Sequence, residues 1–361
     1  MLIYYIFLFL FLFFAIFENK LTKNSKLLII VISGVILILF AGLRGERIDR
    51  DYHIYQLYYK LVPSFFGFFH DSKSFFSTVS IEPSFILIFS ILKSFFNNGF
   101  PIAIFFYALL GVTLKIKAIV KISDQILMSL LIYFTTIFLL QDMNQIRIGV
   151  AIGFILLSIP FILERNIVKF SIFIVLAVFF HYSAIIFAPF YFLNFKKINK
   201  VFYISLLSIP ILLKLINFNP IELLLMFDFG LYTNKLKAYI EMQHWLKADI
   251  NLFNFSILIQ LFFSTIFIFI SEKIENKYAV LLTKIYCFGI ASFYLFSFSS
   301  VIAFRLSELL TSVQILLLPM LISIIKPKVI AEFAIIIISI LYFTNQIVVN
   351  NIFHDYVTIF Q

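Results

Sequence analysis

The chain contains a single cysteine, Cys287, inside an apolar run, which excludes a disulfide framework and cysteine-based metal sites. Charge is scarce as well: 13% of residues are Asp, Glu, Lys or Arg, against roughly 25% in soluble globular domains. Beside 63% apolar residues, that scarcity excludes a soluble enzyme and leaves no stretch long enough for a soluble domain. The sequence also lacks a glycine-rich phosphate loop, an HExxH helix and a GxSxG elbow, so metal-dependent or nucleotide-dependent chemistry has no motif to rest on. No cofactor and no metal are expected. An internal repeat is missing too, which weighs against transporters built from two symmetric halves.

What the sequence does have is a series of apolar runs of membrane-spanning length, about 20 residues each. The expected fold is an all-α polytopic bundle of about 10–12 transmembrane or re-entrant helices, forming a single membrane domain over residues 1–361. The 51 phenylalanines are read as core and lipid contacts. The net charge of +10 is spread through short loops, where it reports topology and not nucleic-acid binding. Residues 2–17 have no basic n-region and no small-residue cleavage site, and read as a first membrane helix, not a removed signal.

The positive-inside rule then threads the chain. Lys20, Lys23 and Lys26 lie in the cytoplasm, and a helix over about 27–43 delivers the loop 44–80 to the outer face. Lys115, Lys117 and Lys121 return to the cytoplasm, which requires an odd number of crossings over 82–114. Asn97-Asn98-Gly99 instead cuts that region into two short halves, so a short or re-entrant segment is expected. A helix over 125–140 runs outward and sets Gln141, Asp142, Asn144, Gln145 and Arg147 at the outer interface, followed by a returning helix over 146–163. Residues 169–196 have basic residues at both ends and read as a hairpin with His181 at its midpoint. Helices over 201–216, 253–271, 278–296, from Arg305 to Lys326, and 329–348 follow, with a second outer loop over 217–252.

This threading brings Arg147, His181, Arg305 and the first loop to one face. Arg147 and Arg305 each lie within a turn of an apolar helix, where snorkelling would place them equally well. Guanidinium forks match phosphate oxygens in pairs and stay protonated, so two or three at one site would hold a diphosphate and stabilise it as a leaving group. His181 suits a general base or a hydrogen bond between helices. Glu82, ahead of Pro83, suits a second base or a helix N-terminal charge. Asp51, Tyr52 and Tyr55 put a carboxylate and two phenols within one turn, as sugar sites require. Gly149 and Gly153 read as a close-packing pair.

Arg44 with Asp51-Tyr52 and Tyr55, Glu82-Pro83 with Phe85, the run QIRIGVAIGFILLSIPFILERN and the later FFHYSAIIFAPFYF together resemble the EpsG-like branch of bacterial polysaccharide polymerases, the Wzy type. The resemblance is close over residues 1–195 and looser around Arg305. It implies a glycosyltransferase that joins undecaprenyl-diphosphate-linked oligosaccharide units, donor and acceptor both, outside the cytoplasmic membrane, with a chain-length regulator as a possible partner. Carried onto this chain, Arg44, Asp51, Tyr52, Glu82, Arg147, His181 and Arg305 stand at motif positions. The charged stretch GERIDR replaces the family's small spacing, which leaves Arg47 and Arg50 as alternatives to Arg44. On that reading Arg147 and Arg305, with Gln145, Tyr52 and Tyr55 nearby and one arginine of the first loop, hold substrate, while His181, Glu82 or Asp51 acts in catalysis. The alternatives are a flippase or transporter of the same lipid-linked sugars and a membrane O-acyltransferase of surface polysaccharide.

Overall fold

The structure is a computed structural model that describes residues 1–46, 48–67, 81–216 and 250–360. Arg47, residues 68–80 of the first loop and residues 217–249 of the second lie outside the described residues. Every regular element described is helical, and an isolated bridge between Arg44 and Thr358 is all the extended pairing found there. Six described helices are long and apolar enough to cross a membrane, spanning 23–42, 100–122, 146–163, 255–273, 300–324 and 328–349. The outward stripe of the first helix, Leu2, Ile6, Phe9 and Phe13, is exposed and apolar, as a lipid-facing surface must be. The protein is a multi-pass membrane protein.

The chain divides into two compact units, Met1–Tyr191 with Leu318–Gln361, and Phe192–Leu317. In the first, α1 (Leu2–Ile16) leads through a turn to α2 (Lys23–Gly42), whose N-terminus is capped by the Thr22 side chain accepting from Ser25 N. After α3 (Tyr52–Leu61) and α4 (Pro83–Phe95), α5 (Phe100–Ile122) packs antiparallel to α2. Glycine permits that approach: a Cβ at Gly42 would lie 2.6 Å from the Phe105 ring. The next helix, α6 (Ile126–Tyr133), continues as a π-helix over Phe134–Asp142 and turns into α7 (Ile146–Leu163). Gly153 of α7 lets Leu114 of α5 in, with a Cβ there only 2.6 Å from Leu114 Cβ.

The region expected to hold a short or re-entrant segment contains the 13-residue helix α4. It packs antiparallel to the first half of α5, with Ser84 Oγ 3.3 Å from the Tyr107 hydroxyl and the Phe89 and Phe100 rings 6.1 Å apart. Thirteen residues of helix reach about 20 Å, short of the ~30 Å hydrocarbon layer, so only α5 runs the full length.

The hairpin around His181 is equally clear. Its first arm is α8 (Ile167–Phe180), and its second is a 3-10 helix over Tyr182–Phe192 that folds back so that Tyr191 packs on Phe170 at 5.2 Å between ring centroids. The arms match in reach despite their unequal lengths of 14 and 11 residues, because a 3-10 helix rises about 2.0 Å per residue against 1.5 Å.

One topological expectation fails. Lys115 is not a cytoplasmic loop cation: it is fully buried within α5 and its Nζ lies 2.7 Å from Asp142 Oδ1, although Asp142 was expected at the opposite interface. A direct ion pair puts both at one depth, so only Lys117 and Lys121 can report topology.

In the second unit α9 (Lys200–Leu215), α10 (Phe255–Ile270) and α12 (Ser300–Thr311) surround the buried α11 (Ala279–Leu295). Gly289 of α11 meets Thr311 and Leu310 closely, and Tyr286 donates to Gln314 in the short helix Gln314–Leu317. The chain re-enters the first unit at Leu318 and continues into α13 (Lys328–Thr344), after which its tail crosses the first loop: Gly45 N donates to Val357 O, Ile359 N to Leu43 O and His354 N to Ile48 O.

Candidate functional site

Glu82 precedes Pro83, which fixes the first helical residue of α4 and forces Glu82 into an extended conformation, φ −64° and ψ 145°. Its carboxylate makes no capping bond to α4 and turns away into the bundle. There it meets two residues from distant sequence. Arg147, in the first turn of α7, donates from Nη1 to Glu82 Oε2. His181 ends α8 in an extended conformation, its N–H still bonded to Ala177 O, so that its ring faces back with Nδ1 3.0 Å from Glu82 Oε1.

One carboxylate therefore bridges a guanidinium and an imidazole. Glu82 and His181 are buried, while the Arg147 side chain stays 22% exposed, leaving part of its fork open to a ligand. The guanidinium packs against two adjoining rings, 5.7 Å from the centroid of Tyr55 and 5.5 Å from that of Phe85, which lie 5.6 Å from each other. The His181 Nε2 atom is buried and has no hydrogen-bond partner. Burial raises the pKa of Glu82, but the His181 hydrogen bond and the Arg147 charge more than offset it and hold the carboxyl at about 2. Burial pushes the Tyr55 phenol up, with Arg147 pulling the other way, so Tyr55 stays neutral.

A second cluster adjoins it through α3. Arg44 is fully buried, with Nε 2.8 Å from Asp49 Oδ2 and Nη1 on Ala41 O, and its guanidinium lies 5.9 Å from the Tyr52 ring centroid. Its Nη2 is buried with no partner. Asp49 Oδ1 accepts from the backbone N–H of Asp51 and Tyr52 and so starts α3, while Asp51 N also approaches Asn144 Oδ1 at 3.2 Å. The Tyr55 hydroxyl reaches Asp51 Oδ2 at 3.5 Å, which links the two clusters.

Of the residues singled out from sequence, the structure gathers Glu82, Arg147, His181 and Tyr55 in one cluster and Arg44, Asp51 and Tyr52 beside it. Gln145, half-buried, is the residue just before α7. Arg50 is exposed and donates to Asn350 O in the tail. Arg47 falls outside the described residues. Arg305 is exposed on α12 in the second unit. Among the described residues no three His, Cys, Asp or Glu side chains group closely enough to hold a metal ion.

The EpsG family model matches residues 26–358, nearly the whole chain and every residue of both clusters. The chain belongs to the EpsG family. Among curated proteins, this EpsG-family chain is similar to the amylovoran biosynthesis protein AmsC of Erwinia amylovora, 28% identical over 208 residues, 54% of this chain and 53% of AmsC. The match thus spans about half the length of that relative. No solved structure matches.

Sequence reading missed Asp49, Asn144, Tyr107 and the Lys115–Asp142 pair. Asp49 and Asp51 form an Asp-x-Asp pair ahead of α3, and nothing in the residue types says which of the two takes Arg44. Tyr107 carried a usable signal: it lies two turns into α5, near the depth of Glu82, and its hydroxyl meets Ser84.

Proposed function

We propose that this EpsG-family protein is a polysaccharide polymerase that joins oligosaccharide units carried on a polyprenyl diphosphate, at the face of the membrane where Glu82, Arg147 and His181 meet. Membership of the EpsG family and the similarity to an amylovoran biosynthesis protein support a role in exopolysaccharide biosynthesis. The observation that carries the mechanism is the bridging Glu82 carboxylate, with His181 Nε2 left unpartnered beside it.

A carboxylate on Nδ1 holds the imidazole as the Nδ1–H tautomer, so the lone pair sits on Nε2, the tautomer a general base needs. His181 takes the proton of an acceptor sugar hydroxyl. The acceptor oxygen bonds to the anomeric carbon of the donor as the bond from that carbon to the diphosphate oxygen breaks. The leaving diphosphate carries its charge onto the Arg147 fork, which no pH near neutral deprotonates. In this reading Glu82 orients the base instead of acting as one, and the adjoining rings of Tyr55 and Phe85 pack against the cation. Arg44, through its unpartnered Nη2, is a further candidate for the phosphates. Neither metal nor nucleotide enters the scheme, and the outer face of the bacterial cytoplasmic membrane is its proposed location.

Lipid analysis of a deletion strain tests this reading. A lost polymerase leaves single lipid-linked repeat units on the outer leaflet. Units retained on the inner leaflet would identify a flippase, and full-length unmodified polymer would identify an acyltransferase.

A further inference from the structure

Lys115 is fully buried in α5, and its ammonium has three acceptors: Asp142 Oδ1 at 2.7 Å, Gly149 O at 2.6 Å and Gly111 O at 3.3 Å. The Tyr133 hydroxyl closes the other side of Asp142, 2.6 Å from Oδ2. The ammonium, the carboxylate and the phenol all belong to one closed network joining α5, α6 with its π-helix, and α7. Gly111 and Gly149 make room for it, since a Cβ at either would lie 2.4 Å or 3.0 Å from Asp142 Oδ1.

This network lies under the turn that carries the site. From Asp142 to Gly149 the chain leaves a π-helix and starts α7, and its backbone bonds there are of the wide kind, Met143 N to Phe138 O and Gln145 N to Leu140 O. A turn held by such bonds is not fixed in place by a regular helical ladder. On its outer side, Asn144 receives Asp51 N and Arg147 reaches Glu82. On its inner side, Lys115 holds both ends, Asp142 and Gly149. Buried ion pairs add little net stability compared with apolar packing, whereas they can specify register. An ionisable pair inside a membrane bundle calls for a function by the same reasoning.

We infer that Lys115 and Asp142 are positioning residues for the reaction: their ion pair sets the register of the α6–α7 turn and thereby aims Arg147 at Glu82 and at the donor phosphates. The inference rests on the role proposed for Arg147 only where a ligand is concerned.

Two measurements on the full-length protein in detergent test it, using Lys115→Met/Asp142→Asn, which removes both charges together and leaves no lone buried ion. The first is a double-mutant cycle on thermal midpoints with Glu82→Gln and Arg147→Met, run in the native and charge-free backgrounds. The non-additive part of the midpoint shift is expected in the native background and absent in the charge-free one. Equal coupling in both backgrounds would overturn the inference. The second is binding of inorganic pyrophosphate, expected to weaken at least tenfold in the charge-free protein, with Arg147→Met adding nothing further. Native affinity in the charge-free protein, or losses that multiply, would count against it. A native protein that binds no pyrophosphate overturns the diphosphate reading alone, since the cycle decides the positioning role without any ligand.

Discussion

His181 Nδ1 lies 3.0 Å from Glu82 Oε1 across 99 residues of sequence, and this contact joins the start of the short α4 to the apex of the α8 hairpin. Glu82→Gln keeps the size and one hydrogen bond but removes the charge that orients and supports the imidazole. Polymer formation per molecule of membrane-inserted protein is expected to fall by about 10²-fold, the low end of what general-base catalysis contributes. Immunoblotting of the membrane fraction beside the polymer assay separates this loss from loss of protein.

The same carboxylate predicts an acid-labile site. Glu82 is held at about 2 against an ordinary 4.5, so the folded state binds fewer protons than the unfolded one between those values. Its contribution, on the order of 3 kcal/mol, is fully present above about pH 4.5 and is lost as pH falls toward 2. The thermal midpoint of the native protein should drop through this window more steeply than that of Glu82→Gln. Parallel midpoint curves would show that Glu82 is not held by its partners.

Removing one half of the Lys115–Asp142 pair should be far worse than removing both charges. Lys115→Met leaves the Asp142 carboxylate buried beside Tyr133 and is expected to cost about 3–5 kcal/mol. Lys115→Met/Asp142→Asn should recover most of that loss in a thermal-unfolding comparison.

At the α5–α7 contact, Gly153→Ala drives a methyl to 2.6 Å from Leu114 Cβ, an atom with no freedom to swing aside. The helices must separate, at about 1–3 kcal/mol, seen as a lower thermal midpoint.

Much of this architecture is legible in the sequence because a bilayer punishes polar groups that lack a purpose. Arg147, His181 and Glu82 are conspicuous as interruptions of apolar runs, and α7 is delimited at 146–163 by the same contrast. Their meeting is not legible, since a separation of 65 positions between Glu82 and Arg147 sets no distance. Lys115 misleads for a related reason: positive-inside reasoning treats each lysine as a free cation, whereas its partner Asp142 sits 27 residues away on another element. The choice between Asp49 and Asp51 depends on backbone conformation, which residue type does not encode.

The most direct test of the account is polymerisation by the purified protein reconstituted in liposomes with lipid-diphosphate-linked repeat units, read as a ladder of chain lengths. The native protein is expected to give a ladder, and Arg147→Ala, folded and inserted to the same level, to give none. A native-length ladder from Arg147→Ala would contradict the account.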